Sequence, residues 1–141
     1  MSLAEKSYKN LKLYNCCINK DYIDLAANRL YYSIFQAMKY VLMINEFDYG
    51  EFLLRKFPDK NRKGKSTQRE YSHGSIYFAI IEVIDKKKKP HMVKDFSDLD
   101  KLYDFRILAD YEDESVDKEE LIEFKEKANI ILEDLEQLKG A

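Results

Sequence analysis

Few side chains in this chain are typed and spaced for chemistry, and the most informative lies in LYDFRILADYEDE, residues 102–114. Read as a helix, this stretch gives Arg106 three apolar neighbours: Leu102 and Tyr103 one turn before it, and Ala109 one turn after. A guanidinium keeps its charge at every ordinary pH, so burying it there demands a paired anion or a solvated cleft. Two readings stay open. Asp110, one turn on, can neutralise Arg106 within the helix or across a subunit contact. Alternatively the guanidinium is aimed at a phosphate, whose oxygens match its forked donors.

Other chemistry is thinly represented. The chain has no glycine-rich phosphate loop, no G-x-S-x-G and no H-E-x-x-H. The acidic clusters at Asp110–Glu114 and Glu119–Glu126 lack calcium-loop spacing and read as a solvated turn and a helix surface. Cys16 and Cys17 are adjacent and belong to no C-x-x-C or Cys/His cluster, so neither a disulfide nor a metal site is expected, and no cofactor. Of the two histidines, His73 reads as a capping or packing residue and His91, after Pro90, as solvated. Asn28 and Arg29 interrupt an otherwise apolar helix. Asn28 is a buried, satisfied amide or a cleft residue; Arg29 lines the same cleft or pairs with Asp24 or Asp21. Between Phe52 and Arg69, the cations Arg55, Lys56, Lys60, Arg62, Lys63, Lys65 and Arg69 face only Asp59. Such a run either holds nucleic-acid phosphates, with Arg62, Lys63 and Lys65 central, or is a solvated loop.

These residues need a scaffold. The 141 residues suit one domain, 1–141, and the 45% hydrophobic and 35% charged composition is that of a globular chain. A net charge of −2 argues against a wholly basic nucleic-acid coat but leaves room for a local basic patch. Four glycines and two prolines among many Leu, Ile, Lys and Glu favour long helices. Helical spacing predicts helices over about 3–17, 21–45, 67–86, 97–112 and 117–139, with 46–66 as a long connection and no convincing strand. Ser2-x-x-Glu5, Thr67-x-x-Glu70 and Asp117-x-x-Glu120 are capping signals, and Ser97 is the expected cap of the fourth helix. The clearest stripe is Leu121, Phe124, Ala128, Ile131, Leu135 and Leu138. The first helix offers Ala4, Tyr8, Leu11 and Ile18, and the third offers Tyr71, Phe78, Ile81 and Ile84. Short connections imply an all-α, antiparallel up-and-down bundle. No apolar run is long enough to span a membrane, and no secretory signal is expected. Together with the cysteine usage this points to a cytoplasmic protein.

Two segments carry a family likeness. AANRLYYSIFQA, from Ala26 to Ala37, resembles the tyrosine-rich second helix of the HEPN superfamily. Leu102–Tyr111 resembles the R-x-x-A-D-Y ending of one bacterial and archaeal subgroup, and Ser72–Gly74 is similar to that subgroup's third helix. The resemblance implies four main helices plus a short extra one, and a homodimer built through the second and fourth. It also implies a nucleotide- or RNA-binding component of a toxin–antitoxin or defence module, working with a small nucleotidyltransferase partner. An alternative implication is a metal-independent endoribonuclease using Arg106 in a dimer cleft; a third reading is a purely structural dimer. In cleaving relatives the Arg is followed, four to six residues on, by a His that moves a proton. Here Arg106 has Tyr111 five residues on, a weak base at neutral pH. On an ideal helix that position lies ~140° around the axis, so the two converge only if the helix ends there or a second subunit contributes. Asn28, Arg29 and Asp110 complete the expected binding set, and Tyr111 is the residue modified in the partner-dependent reading.

Overall fold

The protein is described by a computed structural model covering residues 1–57 and 73–140. Seven α-helical segments account for most of them: α1 (Leu3–Asn19), α2 (Ile23–Ile44), α3 (Tyr49–Lys56), α4 (His73–Lys86), α5 (Val93–Phe96), α6 (Leu99–Tyr111) and α7 (Lys118–Leu138). A 3₁₀ turn, Pro90–Met92, leads into α5. There is no strand among the described residues, and none of their helices is long and apolar enough to cross a membrane.

The helix starts follow local chemistry. Ser2 Oγ accepts from Glu5 N at 3.1 Å, Asp48 from Glu51 N at 3.0 Å and Asp117 from Glu120 N at 3.0 Å. The stops are less ordinary. Asp21, Glu46 and Lys88 hold φ of 60°, 54° and 57°, the left-handed region that usually falls to glycine. Each is the turning residue of a Schellman closure. Tyr22 N bonds Cys17 O, Phe47 N bonds Leu42 O and Lys89 N bonds Ile84 O, satisfying carbonyls that a helix end leaves open.

Helix α2 is the axis of the bundle, packed against α1, α4, α6 and α7. Ala26, Ala27, Leu30, Ile34 and Val41 are wholly buried, so the helix that is apolar around most of its girth is indeed central. Its partners run in fixed senses. Ser7 meets Ser33 and Asn10 meets Arg29, so α1 is antiparallel to α2. Asn28 meets Asp110 and Tyr32 meets Arg106, so α6 is antiparallel too. Asp24 accepts from Val116 N at 2.8 Å and Asn45 donates to Leu138 O at 3.0 Å, which sets α7 alongside α2 in the same sense. The contact with α1 is close because two serines face each other: Ser7 Oγ donates to Ser33 O at 2.6 Å and Ser33 Oγ to Ser7 O at 2.9 Å.

Several details differ from the sequence reading. Within the expected connection 46–66, Tyr49, Phe52 and Leu53 are buried at helical spacing and form α3 under the Asp48 cap. The fully buried positions of α1 are Ser7, Asn10, Tyr14 and Cys17; of the expected stripe, Leu11 and Ile18 pack partly buried against the core, whereas Tyr8 is 60% exposed. Phe78 is likewise exposed; the expected Ile84 is buried and Ile81 partly so, Ile76, Ala79, Ile80 and Val83 join them, and Tyr71 lies outside the described residues. Ser97 caps nothing ahead of it; its hydroxyl turns back to Lys94 O at 2.6 Å, and Asp98 precedes α6. Met92 and Phe96, on the short turns before α6, are fully buried plugs. The expected cap Thr67–Glu70 lies outside the described residues, whereas the α7 stripe is buried at all six of its positions.

Candidate functional site

Helix α6 buries only its first half, through Leu99, Leu102 and Phe105. Its last turn rides along the flank of α2, and there the polar side chains of both helices meet. Arg106 is 20% exposed and lies between them. Its Nη2 donates to Tyr32 Oη at 3.2 Å, and its Nε stands 3.5 Å from Asp110 Oδ2. That second approach is within ion-pair range but not aligned as a hydrogen bond, so Nε is buried without a hydrogen-bond partner. Three rings surround the guanidinium carbon: Tyr31 at 5.2 Å, Tyr32 at 5.5 Å and Tyr111 at 5.9 Å from their centroids.

Asp110 does not serve Arg106 alone. Asn28 Nδ2 donates to both of its oxygens at 3.1 Å. Asn28 Oδ1 then accepts from Arg29 Nη2 at 2.5 Å, and Arg29 Nη1 donates to Asn10 Oδ1 at 3.1 Å. Asn10 Nδ2 ends the chain on Gln36 Oε1 at 2.7 Å. Arg29 Nε, like Arg106 Nε, is buried and unbonded. The seam thus runs from α1 across α2 to α6, with two guanidiniums and a single carboxylate among its bonded members. One positive charge is left over.

The electrostatics keep that charge in place. Burial works against ionised Arg106, but the phenols of Tyr32, Tyr31 and Tyr111 raise its pKa above the usual guanidinium value. Burial pushes Tyr31 up to about 12, with Arg106 pulling the other way, so Tyr31 is a neutral phenol and no base. Tyr111 is different in kind: it is 68% exposed at the very end of α6. Because the helix stops at Tyr111, its ring folds back over Arg106, and the angular obstacle of an ideal helix disappears.

The structure therefore brings together Arg106, Asp110, Tyr111, Asn28 and Arg29. It separates Arg29 from the expected acids, since Asp24 serves Val116 N and Asp21 pairs with Lys118. Arg62, Lys63 and Lys65 lie outside the described residues. At the start of that basic run, Arg55 is answered within the fold by Glu51 at 3.0 Å and Glu82 at 2.7 Å. Among the described residues no group of three or more His, Cys, Asp or Glu could hold a metal ion.

Sequence reasoning missed Asn10, Tyr31 and Tyr32 as members of the seam. Asn10 had a signal, a polar residue in the stripe Ser7–Asn10–Tyr14–Cys17; the two tyrosines looked like core. His73, read as a capping or packing residue, packs: it stacks on Tyr103 of α6 and bonds Asp100. Comparison with protein-family models, curated proteins and solved structures finds no match to this chain.

Proposed function

We propose that this chain is a HEPN-like protein that binds the phosphate of RNA or of a nucleotide at the Arg106–Arg29 seam. One observation carries the reading: two guanidiniums lie on one seam whose only carboxylate, Asp110, approaches Arg106 and reaches Arg29 through Asn28, and an exposed aromatic ring lies over Arg106 at the helix end. An incoming phosphate supplies the missing negative charge, and the Tyr111 ring offers a base a face to stack on. The resemblance of Ala26–Ala37 and Leu102–Tyr111 to HEPN helices supports the same site. It also supports a homodimer, a nucleotidyltransferase partner and a place in a toxin–antitoxin or defence module.

The test is anisotropy titration with a labelled oligoribonucleotide and a labelled nucleotide at two salt concentrations. Binding weakens with salt, and Arg106→Ala reduces both the affinity and the salt slope, by about one counterion for each phosphate that the guanidinium neutralises. Should folded Arg106→Ala bind as wild type does, the seam is only a staple between α2 and α6.

A further inference from the structure

Helix α4 is apolar on two sides. One side, with Ile76, Ala79, Ile80, Val83 and Ile84, is buried in the core. The other carries Phe78, which is 48% exposed, and the partly buried Ile81, three residues apart and so on one face. A surface helix ordinarily turns polar groups, not a phenyl ring, toward water. These two side chains lie in a concavity. With Pro90 and Val93, which follow the end of α4, and with Arg55 and Lys56 at the end of α3, they line a groove of about 680 Å³. Val93 is itself 37% exposed. The groove shares no lining residue with the Arg106–Arg29 seam.

Its charge is the reverse of the chain's, whose net charge is −2. Arg55, Lys56, Lys86 and Lys88 line it, against Glu82 and Asp85. Glu82 is already taken, by Arg55 at 2.7 Å. Lys86 and Lys88 belong to the four consecutive lysines 86–89. Of these, Lys87 donates to the Gly140 carbonyl, and Lys86 Nζ lies over the Phe47 ring at 5.8 Å. Lys56 and Lys88 enter no ion pair among the described residues. A cation in the last turn of a helix complements its carbonyls, which accounts for Lys56 and Lys86 in part. Lys88 stands past the end of α4 and is outside that role.

Apolar lining with cations from two elements decides what fits. The occupant needs an apolar anchor, and negative charge at more than one point, since Lys56 comes from α3 and Lys88 from the turn after α4. A fatty acid has the anchor but a single carboxylate. RNA has the charges but no aliphatic group to seat against Ile81, Pro90 and Val93. A bilayer is met by apolar side chains that protrude, and these are recessed. We infer that the groove between α3 and α4 is a docking site for an acidic peptide segment of another protein. A leucine or aromatic side chain of that segment seats on Phe78, Ile81 and Val93, and carboxylates on either side of it meet Lys56 and Lys88. Phosphate binding at the seam is not required for this.

The test follows backbone amide shifts of the isotope-labelled full chain during titration with a pool of peptides of about a dozen residues, every position Asp, Glu, Leu or Phe. One control pool has Ser and Gln in place of the acids; another has Ser in place of Leu and Phe. The acidic pool should move Phe78, Ile81, Lys88 and Val93, and salt should weaken its binding. Phe78→Ala, and the double variant Lys56→Glu with Lys88→Glu, should each weaken it about tenfold or more, as should each control pool. All three substituted side chains are exposed, so the fold should survive, and unchanged melting verifies it. Absence of shifts at the groove overturns the inference, as do shifts confined to the seam. Equal binding by the neutral pool overturns it too, by leaving the groove merely apolar. If diluting the protein alone moves the same amides, a second copy covers the groove and no acidic partner is called for. Displacement of the pool by dodecanoate or by an oligoribonucleotide at equal concentration likewise sinks the peptide assignment.

Discussion

Asp134, on the inner side of α7, offers a sharp test of how this bundle handles charge. It is 8% exposed, and its Oδ2 is buried without a hydrogen-bond donor. Its neighbour is the Asp95 carboxyl on α5. Two ionised carboxylates face each other as acceptors only; one proton between them turns the contact into a hydrogen bond. Burial, helped by Asp95 and then Glu133, pushes Asp134 up from 3.8 to about 7. A carboxyl raised in this way binds its proton more tightly in the folded chain than in the unfolded one. The stability it contributes is therefore fully present below pH 3.8 and is lost as pH rises through about 7. A rise of about three units corresponds to a ceiling of about 4 kcal/mol, at ~1.4 kcal/mol per unit, and sharing the proton with Asp95 brings the working figure nearer 2 kcal/mol. Asp134→Asn removes the titration and keeps a donor for Asp95. At pH 8 the variant is expected to melt some 5 to 10 °C above wild type, and the difference should narrow steadily as pH falls and nearly close at pH 4. Melting curves of both proteins at half-unit steps from pH 4 to pH 8 measure it. A difference that stays flat across that range, or a variant less stable at pH 8, refutes the shared-proton account.

Two further outcomes follow from geometry. Lys88 is exposed and sits at φ 57°, so Lys88→Gly relieves left-handed strain without removing a packed side chain; urea unfolding should show a gain of roughly 0.5 to 1 kcal/mol. Asn28→Ala breaks the link between Asp110 and Arg29 on a half-exposed seam and should cost about 1 kcal/mol in the same assay. It should also tighten phosphate binding if Asp110, freed from Asn28, turns into solvent; an unchanged affinity at low salt rules that rearrangement out.

The Arg106 seam explains how a permanent cation comes to lie beside an apolar surface. Its neighbour Leu102 is buried, while Tyr103 and Ala109 are only partly so, because α6 leaves the core halfway along. Arg106 marks the point where the helix turns from packing to polar contact. That is why one side chain can touch Tyr32, approach Asp110 and lie under Tyr111 at once.

Much of the fold was written locally. The α7 stripe, the caps Ser2 and Asp117, and the all-round apolar character of α2 each follow from side chains a few positions apart, and each stands in the structure. So does the pairing of Arg106 with Asp110, which is one helical turn. Local pattern failed where another element decided the matter. The short α3 was hidden because three buried residues are too few to announce a helix until a core accepts them. Buried Ser7 and Asn10 of α1 were missed because they look like surface residues until Ser33 and Arg29 of α2 meet them. Composition low in glycine favoured long helices, and at their ends Asp21, Glu46 and Lys88 turn the chain in the glycine conformation, strain that only packed neighbours can hold. The site divides the same way. Sequence alone fixed a permanent charge at position 106 and a phenol five residues later. The antiparallel pairing of α6 with α2 decided that Asn28, Arg29 and Asp110 share one network, and α4 brought His73 to Tyr31 and Tyr103. Those contacts join residues from 30 to more than 80 positions apart, and no local periodicity encodes them.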